Sequence, residues 1–221
     1  MRAVVAVGCA LLVLTGCTRL TRGAGSGDAV GCSRPSPAAI VACLSGSLSD
    51  FWTGETGRTL SLRVVLDPSP EAVPRDCRAA LRLRTAFTCP TDDRVYLTRP
   101  FVRRMVETGP PDGGWLRIAS TLAHEMGHVV QFAVHAPLLG KRHPTLADSR
   151  RIEQQADCLA GVWSRAVGIS SREFIAADRV VLGLVNSPRE RRTHGTPAAR
   201  VAALRHGLAG GGPEACGITL R

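Results

Sequence analysis

The segment TLAHEMGHVVQ, residues 121–131, places two histidines four apart with a glutamate directly after the first. On a helix, positions i and i+4 share a face with Cβ atoms about 6 Å apart, so His124 and His128 can each bring an imidazole nitrogen to one zinc ion. Glu125 is rotated about 100° around the helix axis. That makes it a poor co-ligand, but it suits a general base that takes a proton from a water beside the ion. This is the chemistry of metal-assisted hydrolysis, and it needs a third protein ligand.

The longer metzincin pattern would place Gly at 131 and His at 134; Gln131 and Val134 exclude it. His135 lies seven residues beyond His128, about 10 Å along a helix axis, too far to share the ion. It reads as a surface or capping residue. Downstream, RIEQQADCLAG supplies Glu153 and Asp157, again i and i+4 on one helix face. Glu153 is the expected third ligand. Asp157, one turn on, can accept the free ring N–H of a ligand histidine and fix its tautomer. A solvated charged face would account for this pair equally well, but the flanking ADCLAGVW is too apolar for that.

Other polar residues compete for supporting roles. His194, in RRTHGTP, is free to donate to the oxyanion of a tetrahedral intermediate, or else is a turn histidine capping the last helix. Tyr96, the sole tyrosine, would serve instead if its strand bordered the cleft; core packing is the expectation. Arg200 either orients a substrate carboxylate or lies at the surface, and the surface is expected. His143 and His206 show no partner pattern and are assigned to the surface.

The elements that must position these groups follow from periodicity and breakers. Ile40, Leu44, Leu48 and Phe51 recur at helical spacing after Ser36 and Pro37. LSLRVVLD and RVYLT read as strands. RPFVRRMVETG is helical up to Gly109, and PPDGG breaks the chain. Helices then follow from Trp115 to about His135, from an N-cap at Asp148 or Ser149, over SREFIAADRVVLGLV, and from Pro197 to the glycines after it. A few strands before a block of helices predicts an α+β domain, a small sheet beside an active-site helix and C-terminal helices.

The chain has 221 residues, enough for one well-packed domain, and its 44% hydrophobic and 21% charged content is that of a globular protein. Its net charge of +10 does not imply nucleic-acid binding. The basic residues are scattered, and nine aromatic residues are too few for base-stacking platforms. A positive body does favour an anionic membrane surface or wall polymer. Arg2 and the short apolar run AVVAVGCALLVL read as a secretory signal. The following LTGC resembles the bacterial lipobox, in which the cysteine, here Cys17, is lipidated and becomes the first mature residue. The expected organisation is a signal peptide over residues 1–16, the lipidated Cys17 and a flexible tether over 17–31, and a catalytic domain over 32–221. The tether reaches roughly 20 Å as a random coil.

With Cys9 and Cys17 set aside, six of the eight cysteines remain in an exported domain, where disulfides form. Six cysteines allow fifteen pairings. Cys77 with Cys89 and Cys32 with Cys43 each flank a short segment, which leaves Cys158 with Cys216.

AHEMGHVVQ, EQQADCLAGVW and THGTPAARVAALRHG, with the upstream CRAALRLRTAFTCPTDDRVYLTRPF, together resemble the bacterial neutral zinc metallopeptidase family over about residues 76–217. The resemblance implies a zincin-like fold with one Zn2+ per chain on His124, His128 and Glu153, and Glu125 as catalytic base. It departs from the family at Thr98, where an acidic residue is common. The expectation is a lipid-anchored, extracytoplasmic metallopeptidase acting on a peptide or protein substrate. Two alternatives share the site. One is a non-hydrolytic envelope lipoprotein whose zinc is a scaffold or partner-binding centre, against which an intact Glu125 argues. The other is a metal-dependent amidase acting on wall peptides.

Overall fold

Ser36 accepts a hydrogen bond from the Ala39 amide and Pro37 sets the first turn, so helix α1 (Pro37–Thr56) starts where its capping residues dictate. It ends at Gly57, whose φ of 63° lets the chain turn away. A computed structural model describes residues 29–34, 36–110, 113–134 and 145–220. The signal segment, Cys17, His135 and His143 lie outside the described residues.

Three short strands follow. β1 (Arg63–Leu66) runs parallel to β3 (Arg94–Leu97), and β2 (Ala86–Cys89) runs antiparallel to it, giving the order β1-β3-β2. β2 was not among the expected strands. Its AFTC lacks the bounded β-branched or apolar run that marked β1 and β3, and it pairs along β3 from Ala86↔Leu97 to Cys89↔Arg94. On β3 the faces alternate as a strand requires: Val95 and Leu97 join the main core, while Tyr96 turns to a small second cluster with Val73 and Cys89. A one-turn helix α2 (Arg78–Leu81) precedes β2.

Helix α3 (Arg99–Glu107) leads to the central helix α4 (Gly114–Ala133). Ile118, Ala119, Leu122, Met126 and Val130 are fully buried along α4. α1, α3, α5 (Leu146–Ala166) and α6 (Ser171–Leu184) pack on it, and α7 (Pro188–His194), α8 (Pro197–Ala209) and the short α9 (Gly212–Ala215) pack on α5. The N-cap of α5 is Thr145, not Asp148 or Ser149. Thr145 and Asp148 form a reciprocal capping box, which puts Asp148 at the third helical position. Helix α7 was not among the expected helices; Ser187 caps it and Pro188 begins it.

Two glycines decide how closely the helices approach. A Cβ on Gly127 of α4 would lie 2.8 Å from Ala156 Cα of α5. A Cβ on Gly207 of α8 would lie 1.9 Å from the Cys158 carbonyl oxygen. Backbone therefore meets backbone across α4–α5 and α5–α8. The three disulfides are Cys32–Cys43, Cys77–Cys89 and Cys158–Cys216, the pairings expected from spacing. No helix among the described residues is long and apolar enough to cross a membrane.

Candidate metal centre

The close α4–α5 approach brings three potential ligands together. His124 Nε2 and His128 Nε2 lie 3.1 and 3.5 Å from Glu153 Oε2. The candidate ligand atoms of these residues all fall within 4.8 Å of one another. The two imidazoles stand edge to face at a centroid distance of 4.8 Å.

Each ring is fixed from behind. His124 Nδ1 is 2.8 Å from Asp157 Oδ1, and His128 Nδ1 is 2.8 Å from Gln131 Oε1. A carboxylate can only accept, so His124 Nδ1 carries a proton and Nε2 is the atom that faces Glu153. Gln131 is fully buried, and its amide NH2 donates to the Ile152 carbonyl and to Gln155 Oε1, both at 2.9 Å. That fixes the amide with its oxygen toward His128. The residue that excludes the longer histidine motif is thus the one that orients the second imidazole.

Arg200 is buried, contrary to the surface position expected for it. Its Nε and Nη2 bind the two oxygens of Asp157 at 2.9 and 2.7 Å, and Nη2 lies 3.2 Å from His124 Nδ1. Burial alone would raise the Asp157 carboxyl, but Arg200 and His124 beside it hold it down at about 2. Burial likewise opposes a charge on His124, but Asp157 outweighs it and pushes the imidazole up to about 10. Glu153 is held well below the usual carboxylate range, against its burial, by His128 and His124.

Glu153 Oε2 is buried and makes no hydrogen bond to either ring despite its closeness. An anionic oxygen without a hydrogen-bond partner among the described residues, facing two imidazole Nε2 atoms that give up their protons to a metal, is the donor set of a divalent cation, with the nitrogen and oxygen chemistry that zinc takes. The residues present fit the ion.

Glu125 projects from the same helix toward the sheet and is 6% exposed. Thr88 on β2 donates its hydroxyl to Glu125 Oε2 at 2.6 Å. His194, at the end of α7, reaches the same centre: its Nε2 is 3.5 Å from Glu153 Oε1, and its Nδ1 is 3.0 Å from Glu190 Oε2. A cleft lined by Thr85, Ala86, Thr88, Glu125, Glu190 and His194 runs between β2 and α7 over α4. Tyr96 does not line it. Its hydroxyl donates to Asp92 at 2.6 Å, and its ring stacks on Phe87 on the other face of the sheet. His206 is exposed, with Nε2 3.0 Å from the Ala215 carbonyl. Thr98, the departure from the family pattern, precedes α3 with its hydroxyl buried and without a hydrogen-bond partner among the described residues.

Thr88, Glu190 and Asp178 went unnoticed in the sequence, and Gln131 was read only as excluding the longer motif. Gln131 is three residues after His128 and Glu190 four before His194, spacings that a helix makes neighbours. Thr88 and Asp178 carry no such local signal. Asp178 on α6 accepts the Ser120 hydroxyl at 2.7 Å, and burial together with the Asp157 charge pushes its carboxyl up to about 6.

A mixed α+β protein with a candidate three-ligand metal centre on two packed helices is the class that fold and site define. The family described as "Putative neutral zinc metallopeptidase" matches residues 63–182, more than half of the chain, and the protein belongs to it. The match contains His124, Glu125, His128, Glu153 and Asp157 and ends before His194 and Arg200. Among curated relatives, uncharacterized protein YpfJ of Escherichia coli K12 is 29% identical over 166 residues, 63% of this chain and 56% of that protein. Uncharacterized protein Rv2575 of Mycobacterium tuberculosis H37Rv is 34% identical over 82 residues, 35% of this chain and 27% of that protein. The chain thus spans little more than half the length of the first of these relatives and about a quarter of the second. No solved structure matches it.

Proposed function

We propose that the protein is a zinc-dependent metallopeptidase of zincin-like fold, anchored by lipid on Cys17 at the outer face of the bacterial cell membrane. The observation that carries the reading is Glu153 Oε2, without a hydrogen bond among the described residues, facing two imidazole nitrogens whose opposite nitrogens are already engaged. His124, His128 and Glu153 would hold the ion. When bound, zinc supplies Lewis acidity toward a water and a peptide carbonyl.

The protein's own groups do the rest. Glu125 takes a proton from the attacking water and returns it to the leaving amine. Thr88 holds one oxygen of that carboxylate, so the base does not swing away from the reacting atoms. His194 faces the cleft from α7 and donates to the developing oxyanion, with Glu190 behind its Nδ1. β2 is one of the two edge strands of the sheet and lines the cleft, so its outer backbone groups can pair with an extended peptide.

Glu125→Gln is nearly isosteric and tests the mechanism. Zinc content and melting temperature should be retained while hydrolysis of a cleavable peptide falls by at least ~10²-fold. Equal turnover at equal zinc occupancy would replace the enzyme with the non-hydrolytic scaffold. The anchor has its own test: Cys17→Ala should move the protein from the membrane fraction to the soluble one, and an unchanged distribution would exclude lipidation.

A further inference from the structure

On the N-terminal side of His124 the cleft continues into a pocket walled by Phe101 of α3, by Val181 and Leu182 of α6, and by Val185 just after it. Asp178 lines this pocket and is only 8% exposed. Its Oδ1 accepts the Ser120 hydroxyl at 2.7 Å, and its other oxygen receives no hydrogen bond among the described residues. Arg200 lines the same pocket, but its two hydrogen bonds at 2.9 and 2.7 Å commit it to Asp157. In a chain with 28 lysines and arginines, none of those described forms an ion pair with Asp178.

Arg200 and His124 act on this carboxylate only from a distance, and a carboxylate in a largely apolar wall without a directly paired cation is unfavourable unless something else provides one. Its position beside Glu125 and His124 makes a ligand the natural source. We propose that this pocket receives the basic side chain of a substrate residue, lysine or arginine, adjacent to the bond that is cleaved. The methylene stem packs on Phe101, Val181 and Leu182, and the cationic head meets Asp178. The pocket thereby sets the substrate class of the peptidase, and the proposal rests on that reading of the site.

The test uses the zinc-loaded full chain and peptides blocked at both ends, so that no terminal amine can mimic the side chain. The peptides differ only in carrying lysine, arginine or norleucine on either side of the cleaved bond. At one of those positions kcat/KM should favour lysine or arginine over norleucine by roughly tenfold or more, the range of a charge-assisted hydrogen bond. Asp178→Asn keeps an acceptor for Ser120 and should bring that ratio toward one. Ser120→Ala keeps the carboxylate and should preserve the preference. Wild-type cleavage of the norleucine peptides as fast as the basic ones overturns the proposal.

A second arm needs no turnover. In Glu125→Gln protein, N-acetyl-lysine amide should bind more tightly than N-acetyl-norleucine amide in a titration followed by NMR, and adding Asp178→Asn should erase the difference. If no peptide is cleaved but lysine amide binds through Asp178, the peptidase reading fails and the pocket assignment stands. If peptides are cleaved without basic preference and both amides bind alike, the pocket assignment alone fails.

Discussion

Helices α4, α5 and α8 meet backbone to backbone at Gly127 and Gly207, whereas the three strands reach the central helix mainly through side chains such as Thr88. The helical block carries His124, His128, Glu153, Asp157 and Arg200, so the candidate ligands and their supports sit on elements that cannot shift independently. The strand side joins the main core through Val95 and Leu97, and its outer face has only a small cluster around Val73, Cys89 and Tyr96, stapled by Cys77–Cys89. It contributes the hydroxyl that holds Glu125 and one wall of the cleft. Holding a metal and aiming a base are therefore tasks of two differently built regions. Glu125 is on the rigid one and is gripped by the looser one.

The comparison breaks most visibly at the α5–α8 contact. Gly207→Ala would drive a methyl into the Cys158 carbonyl, so the helices must separate, at a cost of about 3 kcal/mol or more. Thermal melts should show a fall of ~10 °C. Zinc content should drop as well, because Arg200 leaves Asp157. Gly54→Ala in α1 meets nothing within 4 Å and should instead raise stability by about 0.5–1 kcal/mol. Two variants of equal stability would show that close helix approach is not what holds the block.

A smaller effect is expected on the strand side. The Cys77→Ser, Cys89→Ser double variant opens a loop with a sequence separation of 12 and should cost roughly 2–3 kcal/mol. Below its melting point it should keep its zinc, measured by elemental analysis, while peptide hydrolysis declines. Loss of zinc in step with hydrolysis would mean the two regions are one cooperative unit at the site. The smallest change, Thr88→Val, removes one hydrogen bond to Glu125. It should lower kcat about fivefold, near 1 kcal/mol, with zinc content unchanged. A variant that turns over at the wild-type rate would show that Glu125 needs no help from the sheet.

Legibility in the sequence followed the same division. The helices of the block were readable from apolar periodicity and caps, and α4 and α5 lie where that pattern put them, apart from the Thr145 cap. The strand side was half legible. β1 and β3 have β-branched runs of their own, whereas β2 exists through its pairing with β3. Arg200 was misplaced at the surface because burying an arginine is favourable only beside a partner such as Asp157, 43 residues away in the chain.

The sequence by itself determined which side chains share a helix face: His124 with His128, and Glu153 with Asp157. Spacing converts into geometry whenever the local backbone is helical, with no reference to the rest of the chain. Only the tertiary structure decided that these two faces meet, since that depends on Gly127 letting α5 approach α4. It also decided that Thr88 holds Glu125 across 37 residues, and that Asp178 and Ser120, 58 residues apart, meet at a pocket beside the site. Contacts at such separations are set by how elements pack, and packing is fixed by the sum of many weak apolar contacts that no single motif records.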